Sequence, residues 1–195
     1  MKAKDFRQTA WKKIGEQNKW GTIILIYLIY ALIIGALAFT AIGSILVAGP
    51  LALGLAVCLL GISRKEDVRL ERLFSGFNNF VPALLLNILM YVFIFLWSLL
   101  LVIPGLIKSY SYAMSNFILA DNPTMSANDA ITASRKMMDG NKWRLFCLDF
   151  SFIGWYLLCG LTFGLLTFFV EPYHQAARAE FYESIRGEKR ELIGE

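Results

Sequence analysis

The chain is short of charge. Only 17% of its 195 residues are Asp, Glu, Lys or Arg, against about 25% in a typical soluble domain. With 57% hydrophobic residues, that deficit excludes an ordinary water-soluble core and points to lipid as the solvent. Histidine is scarcer still, and His174 is the single example. One imidazole leaves no second half for a di-metal bundle site and rules out an HExxH helix. The three cysteines, Cys58, Cys147 and Cys159, lie in apolar surroundings. They form no CxxC pair and their odd number gives no disulfide framework, so we take them as small buried or lipid-facing residues. A Walker loop, a GxSxG elbow and a paired-carboxylate arrangement are also missing. We therefore expect no catalytic residues, no cofactor and no metal, and a chain that is more plausibly not an enzyme. The net charge of +4 comes without a basic stripe of interleaved aromatics, so nucleic acid is not an expected partner.

What the chain has is long apolar runs and segregated charge. All Lys and Arg residues except Lys108 fall in four segments, 1–19, 63–79, 121–144 and 178–195. Three nearly charge-free blocks lie between them. Each block opens on an Asn-aromatic signature: Asn18-Lys19-Trp20, Asn78-Asn79-Phe80 and Asn141-Lys142-Trp143. The aromatics stand 60 and 63 residues apart, which reads as a unit of about 60 residues repeated three times.

Residues 2–15 predict a basic amphipathic helix lying among headgroups, with Phe6, Ala10, Ile14 and Trp11 near one face. From Trp20 to Ile42 the chain is uncharged, long enough at about 1.5 Å per residue to span a core of about 30 Å. That run is too long for a signal h-region and should stay as the first membrane helix. Gly43-Ser44 is a plausible turn before a second run from Ile45 to Ile62. Gly49-Pro50 either kinks that run or is itself the turn. Residues 63–79 return to water, with Val68, Leu70, Leu73 and Phe74 as an apolar face. Phe80 to Ile103 is another full span that Pro104-Gly105 ends or kinks. Residues 106–120 read as its return helix. Ser126 with Asp129 predicts a capped helix to about Met138. The last block, Trp143 to Val170, is either one tilted span or a hairpin turning near Gly160 to Gly164. In the hairpin, a first helix over 143–158 reaches only about 24 Å, short but tolerable with interfacial Trp143.

The expected fold is all-α: a single polytopic membrane domain over 1–195, with about six membrane helices as three hairpins. A cytoplasmic amphipathic helix precedes each hairpin, in units of about 1–62, 63–120 and 121–187, with a polar tail at 188–195. Hairpins throughout put all four basic segments, and both termini, on the cytoplasmic side. A single final span would instead put the C-terminus outside.

Four motifs carry a resemblance: residues 103–114 (IPGLIKSYSYAM), 118–123 (ILADNP), 126–130 (SANDA) and 142–155 (KWRLFCLDFSFIGW). Pro172 and Tyr173, with Ala176, Ala179, Phe181 and Tyr182, extend it. Together they resemble a bacterial integral-membrane family known as domain of unknown function 975, specifically over 103–182 and more loosely before. The chain is distantly similar also to the membrane domain attached to some glycerophosphodiester phosphodiesterases. The first resemblance implies a multi-pass protein of bacterial, mainly Gram-positive, cytoplasmic membranes and supplies no catalytic residues.

Asp149 is the sharpest candidate for chemistry, because a carboxylate six residues into an apolar block is costly unless paired or hydrated. Lys108 is its possible counterpart, or else snorkels to the interface. Tyr110, Ser111 and Tyr112 offer hydroxyls to a polar interior or between helices. Glu171 and His174 share a helix face, with Arg178 a turn beyond as a salt-bridge partner for Glu171. Lys12, Lys13, Lys19, Trp20, Lys142, Trp143 and Arg144 are the expected lipid-interface residues, facing a bilayer with anionic lipid. Asn18, Asn78 and Asn141 are expected to cap the helices they precede. The leading functional expectation is a non-enzymatic role in membrane or envelope organisation, or as the partner of another membrane protein. The alternatives are a small transporter or channel with a polar path near Asp149 and Lys108, and a lipid-processing enzyme.

Overall fold

The computed structural model describes residues 2–16, 19–37, 41–66, 68–100, 102–162 and 164–193. Among these the regular structure is helical, without strands. It comprises α1 (Ala3–Glu16), α2 (Trp20–Leu37), α3 (Ala41–Ser63), a 3₁₀ helix (Leu70–Asn79), α4 (Phe80–Leu100), α5 (Val102–Tyr112), α6 (Ser115–Asp121), α7 (Ala127–Met137), α8 (Lys142–Phe150), α9 (Ile153–Leu161) and α10 (Thr167–Ile193). By length and composition three stretches among the described residues could cross a membrane: Leu46–Ser63, Leu70–Leu99 and Lys142–Leu161. A fourth is added if the bent pair Ala3–Glu16 and Trp20–Ala36 counts as one span. A polytopic, all-helical membrane protein is the architecture these elements support.

The three stretches are not equivalent. Leu46–Ser63 is 72% buried, whereas the other two are 17% and 22% buried. α3 is therefore the centre of the core, and α4 and α8–α9 turn large apolar side chains outward. Phe95, Leu99, Leu157 and Leu161 are among the most exposed. Outside lipid such a surface would be an aggregation site.

Glycines let the neighbours of α3 approach it closely. A Cβ at Gly54 would stand 1.7 Å from the Leu73 carbonyl oxygen, and one at Gly76 would stand 1.9 Å from that of Pro50. The 3₁₀ helix follows from this contact. Side chains three apart eclipse in a 3₁₀ helix, so Leu73 and Gly76 fall on one line, both buried. Phe74, Phe77 and Phe80 fall on another line, with successive ring centroids 6.4 Å apart. The expected apolar face used an α-helical period and included Phe74; the 3₁₀ period turns Phe74 outward, 46% exposed.

α1 docks with the predicted Phe6, Ala10 and Ile14 buried, while Trp11 is exposed. Phe6 packs edge-on against Phe181, and Lys13 Nζ pairs with Glu180 at 2.7 Å. Residues seven apart on α1 thus meet adjacent residues on α10. α1 therefore crosses α10 instead of running alongside it. α7 begins as expected, with Ser126 Oγ accepting from the Asp129 backbone N–H at 3.2 Å.

Several boundaries differ from expectation. Gly43 and Ser44 lie inside α3, not at a turn. Gly49 and Pro50 also lie inside it, which leaves the first of their two alternatives, a place within the run, and removes the turn. α5 begins at Val102, so Pro104 sits in its first turn, where a missing N–H costs nothing. The expected return helix over 106–120 is two helices, parted at Ala113-Met114. The expected helix over 143–158 is also two, α8 and α9, parted at Ser151-Phe152. Asn141 occupies the N-cap of α8 without a side-chain cap bond; its amide donates to the Met137 carbonyl instead. Asn78 has no helix start to cap, because the 3₁₀ helix runs straight into α4. Asn18 lies outside the described residues.

One end of the core is closed by ions. Arg64, just after α3, meets Asp121 at the end of α6 at 2.7 Å and Glu183 on α10 at 2.7 Å. Arg186 meets the same Asp121 at 2.9 Å, and Tyr182 donates to it at 2.7 Å. Two cations and two anions make a neutral clasp over three elements, which suits a partly buried place.

Candidate functional site: a buried polar network on α8, α9 and α10

α10 carries two kinds of residue. Ala176, Ala177 and Ala179 are buried and let neighbouring helices approach. Glu171, His174, Gln175 and Arg178 recur at helical spacing and make a polar stripe. α8 brings Asp149 to this stripe and α9 brings Tyr156.

Arg178 grips Asp149 with two parallel hydrogen bonds, Nε to Oδ1 at 3.0 Å and Nη2 to Oδ2 at 2.5 Å. This fork-to-fork geometry is the strongest form of the pair. His174 Nε2 lies 2.8 Å from Asp149 Oδ1, and its Nδ1 lies 2.8 Å from the Tyr156 hydroxyl. That hydroxyl is 2.6 Å from Glu171 Oε2, and Gln175 donates to Glu171 Oε1 at 2.9 Å. Phe152 covers the imidazole with ring centroids 4.6 Å apart, and Arg7 stands over Phe152. Tyr27 on α2 and Tyr110 on α5 are the next polar groups out, beside Glu171 and Asp149 respectively.

The chain Asp149–His174–Tyr156–Glu171 contains three hydrogen bonds, and each needs one proton. Three protons can be placed in three ways. His174 holds two and Tyr156 one; or Tyr156 gives its proton to Glu171 and takes the one on His174 Nδ1; or the proton on His174 Nε2 moves onto Asp149. Every arrangement carries the same charge of −1, which Arg178 cancels. The network is thus neutral in each of these arrangements, as burial demands.

Arg178 and Gln175 also form part of the wall of a cavity of about 440 Å³. Tyr27, Tyr30, Ser109, Tyr110 and Asn116 give it further polar groups, against apolar walls from α3.

The structure gathers Asp149, Glu171 and His174, with Tyr110 at the edge. Lys108 and Tyr112 are elsewhere. Lys108 Nζ lies 4.5 Å over the Trp97 ring, in a surface patch with Arg135, Lys136 and Lys142. Tyr112 is buried against Phe93. The partner of Asp149 is therefore Arg178, not Lys108, and Arg178 is taken from Glu171. Spacing had marked Arg178 as a neighbour of His174; nothing in an apolar run had marked Tyr156. Both ring nitrogens of His174 are occupied, which ties up the Glu-x-x-His pair in hydrogen bonds.

The expected lipid-interface residues also divide. Lys13 holds Glu180 and the Ser63 carbonyl, and Lys19 donates to the Glu66 carbonyl. Arg144 makes a forked pair with Glu188 at 2.9 and 3.0 Å. Lys12, Lys142 and Trp143 stay outward, Trp143 at 71% exposure and stacked on Phe146. Trp20 packs among aromatics against Trp11, ring centroids 4.7 Å apart.

Family profiles cover nearly the whole chain. The family described as "protein of unknown function (DUF975)" matches residues 1–108 and again 98–189. The chain belongs to the DUF975 family. Two successive matches accord with an internal repeat, on a coarser scale than the 60-residue unit. No curated protein and no solved structure matches.

Proposed function

We propose that this DUF975 protein is a non-enzymatic, multi-pass protein of a bacterial cytoplasmic membrane that organises the lipid or the membrane protein around it. One observation carries this reading. The outward apolar surface of α4 and α8–α9 adjoins surface helices rich in lysine and arginine, so lipid tails and anionic headgroups both find a matching surface. Vesicles containing the protein and labelled lipids test it by energy transfer from tryptophan. Phosphatidylglycerol is expected around the protein at about fivefold over phosphatidylcholine, as about 1 kcal/mol per surface cation implies. Equal transfer from both lipids counts against the reading.

In this layout α2, α3, α4, α5–α6, α8–α9 and α10 are six membrane segments, and both termini face the cytoplasm. A cysteine at Thr162, between α9 and α10, is then external. With Cys58, Cys147 and Cys159 replaced by alanine, Thr162→Cys should label with an impermeant maleimide on intact cells. Labelling only after lysis removes the third hairpin.

The buried network favours a second reading. Protons with alternative places beside a polar cavity are what a small proton-coupled carrier needs, and ionisable groups within a membrane commonly serve such relays.

A further inference from the structure

Two features at the junction of α1, α9 and α10 belong to neither the network nor the cavity. The first is a cleft of about 340 Å³ lined by Trp11, Trp20, Trp155, Phe169, Val170 and Tyr173. Among the described residues no charged side chain lines it. The second is a recess on the other side of Trp11 and Tyr173, lined by those two residues with Gln8 and Lys12. Trp11 and Tyr173 are shared, so an apolar slot and a basic patch are continuous.

The chain itself orders these features by depth. Phe169 and Val170 precede Tyr173 by about one turn of α10, in the direction away from Glu180 and the basic end of the helix. α1 crosses α10 at Tyr173 and beyond. Around α1, Phe6, Ala10 and Ile14 are spent on docking, and Trp11 turns toward the cleft. Lys4, Gln8 and Lys12, at successive i, i+4 positions, form an exposed ridge. Neighbouring cations are already engaged: Arg7 donates to the Ser151 carbonyl, and Lys13 holds Glu180. Among the described residues, Lys4 and Lys12 make no ion pair. A phosphate-sized anion finds two uncommitted ammonium groups and an amide here, with an aromatic slot leading toward the apolar side. Aromatic rings at headgroup level over a deeper hydrocarbon slot are the pattern of a membrane interface.

We propose that this junction is a binding site for one anionic glycerophospholipid, with its phosphate on Lys4, Gln8 and Lys12 and an acyl chain in the Trp11–Trp155–Phe169 cleft. The proposal rests on the membrane-organising reading and gives it a specific ligand. A held lipid would cover Trp11 and Phe169, which are 53% and 54% exposed, and would pin α1 to the bilayer plane.

Native mass spectrometry of the full chain, released from detergent with phosphatidylglycerol or phosphatidylcholine of equal chain length, tests the site. The wild type is expected to retain one phosphatidylglycerol per chain, at least about fivefold in preference to phosphatidylcholine. Lys4→Glu/Lys12→Glu should lower that retention by about tenfold or more, since each surface cation is worth about fivefold. Both side chains are exposed, so the thermal midpoint should not change. Phosphatidylglycerol with brominated chains should quench wild-type tryptophan fluorescence, and replacing all three cleft tryptophans (Trp11→Phe/Trp20→Phe/Trp155→Phe) should remove most of the quenching. Inorganic phosphate should compete only weakly, because it cannot fill the cleft; strong competition would assign the ridge to free anions and overturn the lipid site. Undiminished retention by Lys4→Glu/Lys12→Glu also overturns it. If energy transfer still shows phosphatidylglycerol around that variant, the general reading survives the loss of the site; if enrichment is absent from the wild type as well, both fall.

Discussion

Gly76→Ala is expected to lower the thermal midpoint and the yield of folded protein sharply. The added methyl group would sit 1.9 Å from the Pro50 carbonyl oxygen and 2.9 Å from the Gly54 nitrogen. Both are backbone atoms of α3, and no side chain can swing aside to relieve them. The whole 3₁₀ helix would have to lift from the core, taking Leu73 with it and carrying α4, which it joins directly. Overpacking at a yielding site costs about 1–3 kcal/mol. A backbone-on-backbone clash belongs at or above the top of that range, a large share of a total stability of about 5–15 kcal/mol. Gly54→Ala should behave alike, since its methyl meets the Leu73 carbonyl from the other side. The control is Gly160→Ala on the exposed side of α9, where a methyl meets nothing within 4 Å. There the better helix former should be neutral or stabilise by up to about 1 kcal/mol. Thermal midpoints in detergent and the yield of monodisperse protein read the difference. Equal midpoints for Gly76→Ala and Gly160→Ala would show that α3 and the 3₁₀ helix are not held at this distance.

This contact marks the boundary of what sequence pattern could reveal. The docked face of α1 was legible because Phe6, Ala10 and Ile14 are four apart and a single helix decides which way they point. The Ser126 cap was legible because the bond spans three residues. Gly54 and Gly76 were visible as glycines, but their purpose lies between segments, and a periodicity within one segment says nothing about the distance to another. The 3₁₀ helix was hidden for a related reason. Its three-residue period is imposed by packing against α3, while the sequence fits an α-helical face equally well up to Phe74. For the network, the cost of an unpaired Asp149 pointed to a buried partner without naming it. Lys108 looked available because it was the isolated cation, yet α5 leaves it over Trp97 at the surface. Arg178 looked committed to Glu171 because both lie on one helix. Tertiary packing decided otherwise by placing Asp149 across from the guanidinium, where a forked pair forms.

Asp149→Asn is expected to be the most costly single change in the network. It removes the anion from both hydrogen bonds of Arg178 and leaves the guanidinium charged and partly enclosed. Breaking a buried pair from one side typically costs about 3–5 kcal/mol. Arg178 is 27% exposed toward the cavity, so water recovers part of its solvation and the lower end of that range applies. Neutralising the partner should reverse much of the loss. In Asp149→Asn/Arg178→Gln the asparagine carbonyl still accepts from His174, the line still holds three protons, and the net charge returns to zero. The double variant should therefore be more stable than Asp149→Asn alone, with a coupling of about 1–3 kcal/mol between the sites. Thermal denaturation of the four members of the cycle measures it; additive losses would mean that the pair does not form. The same double variant separates the two roles of the network. It keeps the helices together but has lost the carboxylate that can take a proton at one end of the line. If the line conducts, proteoliposomes containing the double variant should show no acid-driven proton uptake above protein-free vesicles, while the wild type does. Wild-type uptake by this stable but carboxylate-free protein would confine Asp149 and Arg178 to holding α8 against α10.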